Sequence, residues 1–181
     1  MKIALAGSFS TGKTTLVDKC AEKLRNDYKR DVYVIEEVAR RIILEGYPLD
    51  RRATIESNHM YIYYQLESER QAQTHQDVIS DRSLLDSLAY IRTNRDPGIP
   101  NSFESMLTEI VWKETLYYDA YCYVPIEFSP VDDGLRSIDK EYQQLVDNEV
   151  VNLLKHFGVR TIRVKGSIEN RVKSLIDIFA L

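Results

Sequence analysis

The sequence predicts an α/β fold in three layers, with a five-stranded parallel sheet covered by helices on both faces. Three observations lead there. Short apolar runs alternate with helical patterns along all 181 residues. The first run ends in a glycine-containing turn that opens directly into a helix. No linker, repeat or low-complexity tract divides the chain, so residues 1–181 are expected to form one domain.

The elements follow in order. Lys2 to Ala6 is a short apolar run closed by Gly7, and reads as a buried strand. Lys13 to Asn26 sets Leu16, Val17, Cys20 and Leu24 at helical spacing before a polar break at Asp27. Val32 to Ile35 is a second, β-branched run. Glu37 to Leu44 reads as a helix stopped at Gly46-Tyr47-Pro48. Thr54 to Gln73 is a long tyrosine-rich helical pattern. Val78 to Asp81 is a third strand, and Leu84 to Thr93 the helix behind it. The turn Arg95 to Pro100 breaks the chain, and helix resumes from Ser102 to Leu116. Ala120 to Ile126 is a fourth strand, and Phe128 to Ser137 a loop containing Pro130 and Asp132-Asp133-Gly134. Lys140 to Phe157 is helical and capped by Gly158. Thr161 to Val164 is the fifth strand, and Ser167 to Phe179 the closing helix.

Composition narrows the function classes. Apolar residues are 44% and charged residues 29%, as in a globular protein rather than a disordered one. The net charge is −4 and no run of Lys or Arg stands out. That argues against broad capture of nucleic acid, which needs a basic face. Cys20 and Cys122 stand far apart and in no metal-ligand spacing, so they read as reduced thiols. The opening stretch Ile3 to Ala6 is too short for a signal segment or a membrane span. The chain is therefore expected in the cytoplasm, away from membranes. His59, His75 and His156 form no ligand spacing.

The turn after the first strand carries the chemistry. Gly7, Ser8, Phe9, Ser10, Thr11, Gly12, Lys13 and Thr14 match G-x-x-x-x-G-K-[ST] in full, with Thr15 next in the helix. The two glycines let the backbone curl until successive N–H groups face phosphate oxygens, and the helix adds its positive end. Lys13 reaches the β- and γ-phosphates, and Thr14 offers its hydroxyl to magnesium. ATP and Mg²⁺ are the expected cofactors.

Three downstream clusters separate phosphoryl transfer from other uses of such a loop. Glu36-Glu37-Val38-Ala39-Arg40 follows the second strand, and ligands of open parallel sheets collect at strand carboxyl ends. Glu37 could there orient or deprotonate an acceptor hydroxyl, with Arg40, one helical turn on and on the same face, pairing with it or holding an anionic group. The alternative is that the two glutamates merely solvate a helix start. Asp81-Arg82-Ser83 follows the third strand, with Asp86 one turn on. Asp81 is a candidate magnesium ligand and Arg82 a candidate clamp on the transferred phosphoryl group. Asp81 or Ser83 could equally cap the next helix. Asp132 to Arg136 lies in the loop after the fourth strand, where Arg136 could close over the phosphates, or where the loop is simply an acidic turn.

These residues resemble a known group. Gly7–Thr15, Glu37-Val-Ala-Arg40, the stretch Asp81 to Tyr90, and Asp133-Gly-Leu-Arg-Ser137 together look like the P-loop kinase/ATPase-domain family that includes bacterial ribosylnicotinamide kinases. The stretch Asp81 to Tyr90 is also similar to motifs of thymidylate and deoxynucleoside kinases. The resemblance implies a P-loop nucleoside/nucleotide kinase fold, an acceptor region at about residues 38–75 and a lid at about 130–138. It implies Glu37 and Asp81 near the reacting centre, and Arg82 and Arg136 as phosphate clamps. It places the region of Gly166, Ser167 and Arg171, after the fifth strand, beside adenine. Thymidylate kinases carry Arg-Glu-Pro after the second strand, where this chain has Glu36-Glu37-Val38. That shifts the expectation toward a hydroxyl acceptor such as a nucleoside.

In the long tyrosine-rich helix, Tyr61, Tyr64 and Gln65, with Glu69 one turn on, could present a ring-stacking face and an amide to a base. The tyrosines read more readily as amphipathic core. The expected activity is an ATP- and magnesium-dependent phosphotransferase on a small nucleoside or nucleotide, with Lys13, Glu37, Arg82 and Arg136 as catalytic residues. Arg40, Gln65 and Asp86 are the expected acceptor contacts. A homodimer is compatible with this reading. Two alternatives stay open: a regulatory ATPase acting as a nucleotide switch, and a kinase of a nucleic-acid end or modified base. The Asn-Lys-x-Asp signature expected of most GTPases is absent.

Overall fold

Lys2–Ala6 forms β1, and its side chains divide between two cores. Ile3 and Leu5 join one apolar cluster, Ala4 and Ala6 the other. A strand buried on both faces needs no polar alternation, which is why the run reads as continuously apolar. The structure is a computed structural model and describes residues 1–94, 98–129 and 138–180. The Asp132–Arg136 cluster, with the expected lid cation Arg136, lies outside the described residues.

The remaining strands are β2 (Val32–Ile35), β3 (Asp77–Asp81), β4 (Ala120–Tyr123) and β5 (Thr161–Arg163). They form one parallel sheet in the order β2-β3-β1-β4-β5. The helices are α1 (Lys13–Tyr28), α2 (Val38–Leu44), α3 (Ile55–Gln71), α4 (Leu84–Asn94), α5 (Asn101–Glu114), α6 (Lys140–His156) and α7 (Ile168–Phe179). On one face α1 and α7 bring Leu16, Val17, Cys20, Val172 and Leu175 onto the sheet. On the other, α3, α4, α5 and α6 contribute Tyr61, Leu88, Leu107 and Val146. Fully buried side chains such as Leu16 and Leu88 each stabilise the fold by roughly 2 kcal/mol.

The element boundaries differ from expectation in a few places, each with a local cause. β4 stops at Tyr123 rather than running to Ile126. Val124 N still donates to Ala6 O at 2.9 Å, but Pro125 has no N–H with which to continue the ladder. Glu37 is not in α2; it is the extended residue just before it. α3 begins with a capping box between Thr54 and Ser57, and a short 3-10 turn at Ala72–Thr74 follows it. A second such turn, Asp50–Arg52, was not foreseen in the stretch before α3.

The register places the site. Leu5 of β1 pairs with Asp81 of β3, Ile35 of β2 with Ser80, and Ala6 with Tyr123 of β4. The carboxyl ends of three adjacent strands therefore meet on one edge, delivering Gly7, Glu37 and Arg82 to a common crevice.

Candidate active site

The loop from Gly7 to Gly12 is shaped by positions that only glycine fills easily. A Cβ on Gly7, whose φ is 148°, would stand 2.5 Å from the Val124 carbonyl oxygen. Gly12, at φ 84°, is the left-handed N-cap of α1. Three of the loop carbonyls are held by side-chain donors. Lys13 Nζ donates to Gly7 O at 2.8 Å and to Ser8 O, and Gln143 Nε2 donates to Phe9 O at 2.8 Å. Phe9 itself is buried against Tyr142, while Ser10 sits at a left-handed φ of 56°. Thr15 is exposed on the first turn of α1.

Burial, and then the neighbouring Arg82 charge, lower the Lys13 ammonium from 10.5 to about 7, against the pull of Asp86, Asp81 and Glu37. A cation held in so poorly solvated a place gains strongly from a polyanion beside it.

Thr14 Oγ1 donates to Asp81 Oδ2 at 2.5 Å. Asp81 Oδ1 is buried with no hydrogen-bond partner among the described residues. Burial, and then the nearby Glu37 charge, raise the Asp81 carboxyl above the usual range. An orphaned carboxylate oxygen beside a hydroxyl suits magnesium, which takes few protein oxygens and keeps water and phosphate as its other ligands. Among the described residues no group of three or more His, Cys, Asp or Glu forms a metal cluster. The helix-capping role goes to Ser83, whose Oγ accepts from Leu85 N at 3.2 Å.

Arg82 is held in an unusual backbone state. Its φ of 83° is left-handed for a residue with a side chain, a strain of about 1–3 kcal/mol. Ser80 Oγ donates to its carbonyl at 2.6 Å, and its own N–H donates to Leu5 O at 3.1 Å. The kink turns the guanidinium inward. Nε donates to Glu37 Oε1 at 2.8 Å and Nη1 to Gly7 O at 3.2 Å, with the Tyr90 ring 5.6 Å away. Glu37 and Arg82 are both buried, while Glu36 is exposed. The helical spacing had suggested Arg40 as the partner of Glu37. The guanidinium that grips Glu37 belongs to Arg82, and Arg40 is exposed at the rim.

Beside this pair opens a cavity whose polar side chains include Glu37, Arg40, Asp50, Asn58, Arg82, Ser87 and Asn94. Tyr61, Tyr90 and Phe9 line it with aromatic surface, and Ile43, Leu49, Ile91 and Ile99 with aliphatic surface. A mostly apolar cavity with a few convergent polar groups is the usual form of a small-molecule site.

Two expected acceptor contacts lie outside this cavity. Gln65 is fully buried and does not reach the cavity; its Nε2 donates to Glu69 Oε1 at 2.9 Å, and Tyr118 OH donates to the same oxygen at 2.8 Å. The helix rise carries Gln65 about 6 Å beyond Tyr61, so Asn58 and Tyr61 line the cavity instead. Asp86 is also fully buried, and its oxygens accept from Gly7 N at 3.0 Å and Ser83 N at 3.1 Å. It braces the loop against α4 rather than facing an acceptor. Tyr64 sits at the surface, its OH bonded to Glu45 and its ring under Arg41.

On the opposite side of the loop, Gly166 donates its N–H to Glu127, and Ser167 caps α7 by accepting from Asn170 N. Arg171 reaches between them to the loop. Sequence reasoning gave Arg171 only a place beside Gly166 and Ser167, and assigned no role to Asn58, Tyr90, Asn94 or Gln143. Tyr90 closes the Asp81 to Tyr90 stretch that carried the resemblance and was the one with a readable signal.

With the phosphate loop built on this edge, the family model for an AAA domain, AAA_28, matches residues 2–171. The chain belongs to the AAA_28 family. No curated protein matches it. Among solved structures, this AAA_28 chain is similar to deoxyadenosine kinase from M. mycoides with bound dATP, at 16% identity, TM-score 0.72 and full coverage of both chains. It is similar to thymidylate kinase from Ehrlichia chaffeensis, at 19% identity and TM-score 0.70, over 100% of this chain and 98% of that one. It is also similar to NadR protein in complex with NR, at 20% identity and TM-score 0.74. There the match covers 98% of this chain but 50% of NadR. The fold is that of P-loop kinases, in keeping with the resemblance read from the sequence. Among the described residues no helix is long and apolar enough to cross a membrane.

Proposed function

We propose that this AAA_28 chain is an ATP- and magnesium-dependent phosphotransferase acting on a small nucleoside-like or nucleotide acceptor, with residues 1–181 working as one kinase domain. One observation carries the reading. The buried Glu37–Arg82 pair stands in the wall of the acceptor cavity, and the same Arg82 touches the phosphate loop at Gly7 O. A nucleotide switch needs a phosphate loop but not a second, aromatic-lined cavity one side chain away from it.

In this reading the loop N–H groups and Lys13 hold the polyphosphate, while Thr14 and Asp81 hold the magnesium ion. That ion supplies charge neutralisation between the phosphates when bound. Glu37 accepts the acceptor's hydroxyl hydrogen bond, and Arg82 orients Glu37 and faces the phosphoryl group in transit. Tyr61 and Tyr90 give a planar acceptor ring an apolar wall, and Asn58 and Asn94 offer amide groups to its polar edge. Positioning and charge stabilisation are what phosphoryl transfer asks of a protein.

The test is transfer of labelled terminal phosphate from ATP to a panel of nucleosides, nucleoside monophosphates and nicotinamide riboside. One acceptor class should become labelled in a magnesium-dependent reaction. ATP hydrolysis that no acceptor diverts would overturn the proposal in favour of a switch.

A further inference from the structure

Arg171 lies on α7, remote in sequence from the phosphate loop, and is buried. Its fork is used at all three nitrogens. Nε donates to Gly166 O at 2.8 Å, Nη2 pairs with Glu127, and Nη1 donates to Thr11 O at 3.1 Å. Glu127 in turn accepts from Gly166 N–H at 3.1 Å, and the Phe128 ring lies 5.1 Å from the guanidinium. Two of the three contacts would suffice to pin α7 to the loop before it. The third reaches past them to the phosphate loop.

That third contact has a geometric consequence. Thr11 C=O and Gly12 N–H belong to one trans peptide plane and point in opposite directions. A charged donor that draws the Thr11 carbonyl outward therefore aims the Gly12 N–H inward, at the place a phosphate oxygen occupies. Gly12 has no side chain to resist rotation of that plane, and a Cβ there would meet only Arg171 Nη1, at 4.0 Å. On the other arm of the loop, the neutral Gln143 donates to the Phe9 carbonyl. Arg171 makes the charge-assisted version of this contact, the stronger of the two kinds.

We propose that Arg171 is a positioning residue of the phosphate loop: through the Thr11 carbonyl it aims the Gly12 N–H at the polyphosphate, and through Gly166 and Glu127 it ties that aim to the segment on the base side. The proposal rests on the reading of this loop as a triphosphate site. It separates affinity for the phosphate chain from stability of the fold, because a bolt that only fastened α7 would leave loop N–H direction untouched.

The experiment is calorimetric titration of magnesium tripolyphosphate, which has no base, onto wild type, Arg171→Met and Arg171→Lys, with thermal melts of each. Removing one charge-assisted contact that preorganises the loop should weaken tripolyphosphate binding about tenfold in Arg171→Met. Arg171→Lys should recover part of the loss, since an ammonium can still reach one carbonyl. If Arg171→Met does not fold, Arg171→Lys decides alone, with binding measurably weaker than wild type expected. A folded variant that melts earlier yet binds tripolyphosphate as tightly as wild type overturns the proposal and leaves the kinase reading standing. A wild type that binds no tripolyphosphate overturns both.

Discussion

Glu69 gives a pH dependence that can be worked from the structure. Its carboxyl is buried within α3, accepting from Gln65 on the same helix and from Tyr118 after α5, with Oε2 unpartnered among the described residues. Burial is the largest influence on it, offset by the Gln65 and Tyr118 hydrogen bonds and reinforced by the charge of Glu114 on α5. Together they raise it from 4.5 to about 8. Between those values the native protein keeps the proton that the unfolded chain has released. Stability therefore falls as pH rises through this window, and levels off above it. At about 1.4 kcal/mol per pH unit, the full span comes to about 5 kcal/mol as an upper figure. The perturbation is Glu69→Gln, which keeps the shape and the uncharged state but cannot ionise. Near pH 5 the variant should match wild type within about 1 kcal/mol, and by pH 9 it should be the more stable protein. For a chain of this size each kcal/mol moves the melting point by about 2–4 °C, so the gap should open to roughly 10 °C or more. Differential melts of the two proteins from pH 5 to 9 read it together with the accompanying change at Glu114, because titrations not linked to Glu69 cancel in the difference. A gap that stays constant with pH would refute the reasoning.

The remaining predictions concern the site. Lys13→Ala should lose nearly all phosphoryl transfer while keeping its melting curve, since the residue is a desolvated cation rather than a packing element; rate and melt are measured together, and wild-type turnover would place catalysis elsewhere. Glu37→Gln should retain ATP binding and lose roughly 10²-fold in transfer rate, while Glu36→Gln stays within about threefold of wild type; the reverse order in paired kinetics would put the wrong glutamate in the site. Excess chelator should abolish transfer, and Asp81→Asn should raise the magnesium concentration needed for half-maximal rate; full activity without divalent ion would remove Thr14 and Asp81 from the metal's shell. Gly7→Ala, with its Cβ 2.5 Å from Val124 O, should cost about 3 kcal/mol in a denaturant melt and weaken nucleotide binding as well; a neutral result would mean that the loop can shift to admit the methyl group.

What was legible in the sequence was whatever lies close together along the chain. The run Lys2 to Ala6, the eight residues of the phosphate loop and the helices behind them are local patterns, and local patterns set strand and helix identity. The crevice was legible as a place, because strand ends in a parallel sheet converge by rule. The partners inside it were not. Glu37 and Arg82 are separated by 45 residues, and the helical spacing to Arg40 offered a nearer but exposed cation. Gln65 and Asp86 stood out in the sequence as polar groups able to meet an acceptor. Periodicity says that such a residue faces inward, but not whether it meets a ligand or another part of the protein. Arg171 was legible only as part of the resemblance around Gly166 and Ser167; its contact with Thr11, 160 residues away in sequence, was not.

The alternation along β1 sends Ile3 and Leu5 to one side and Ala4 and Ala6 to the other, and the same division runs through β4, where Cys122 parts from Tyr121 and Tyr123. The sheet thus acts as a bulkhead. The α1 and α7 compartment stands behind the phosphate loop and the Arg171 tie, while Tyr61 and Phe9, with the cavity they line, sit in the other compartment. Changes of volume on one side meet a different set of neighbours from changes on the other. On the proposed reading, chamber residues other than Phe9, which the phosphate loop shares with the chamber, can change for a new acceptor without touching the α1 and α7 side of the sheet.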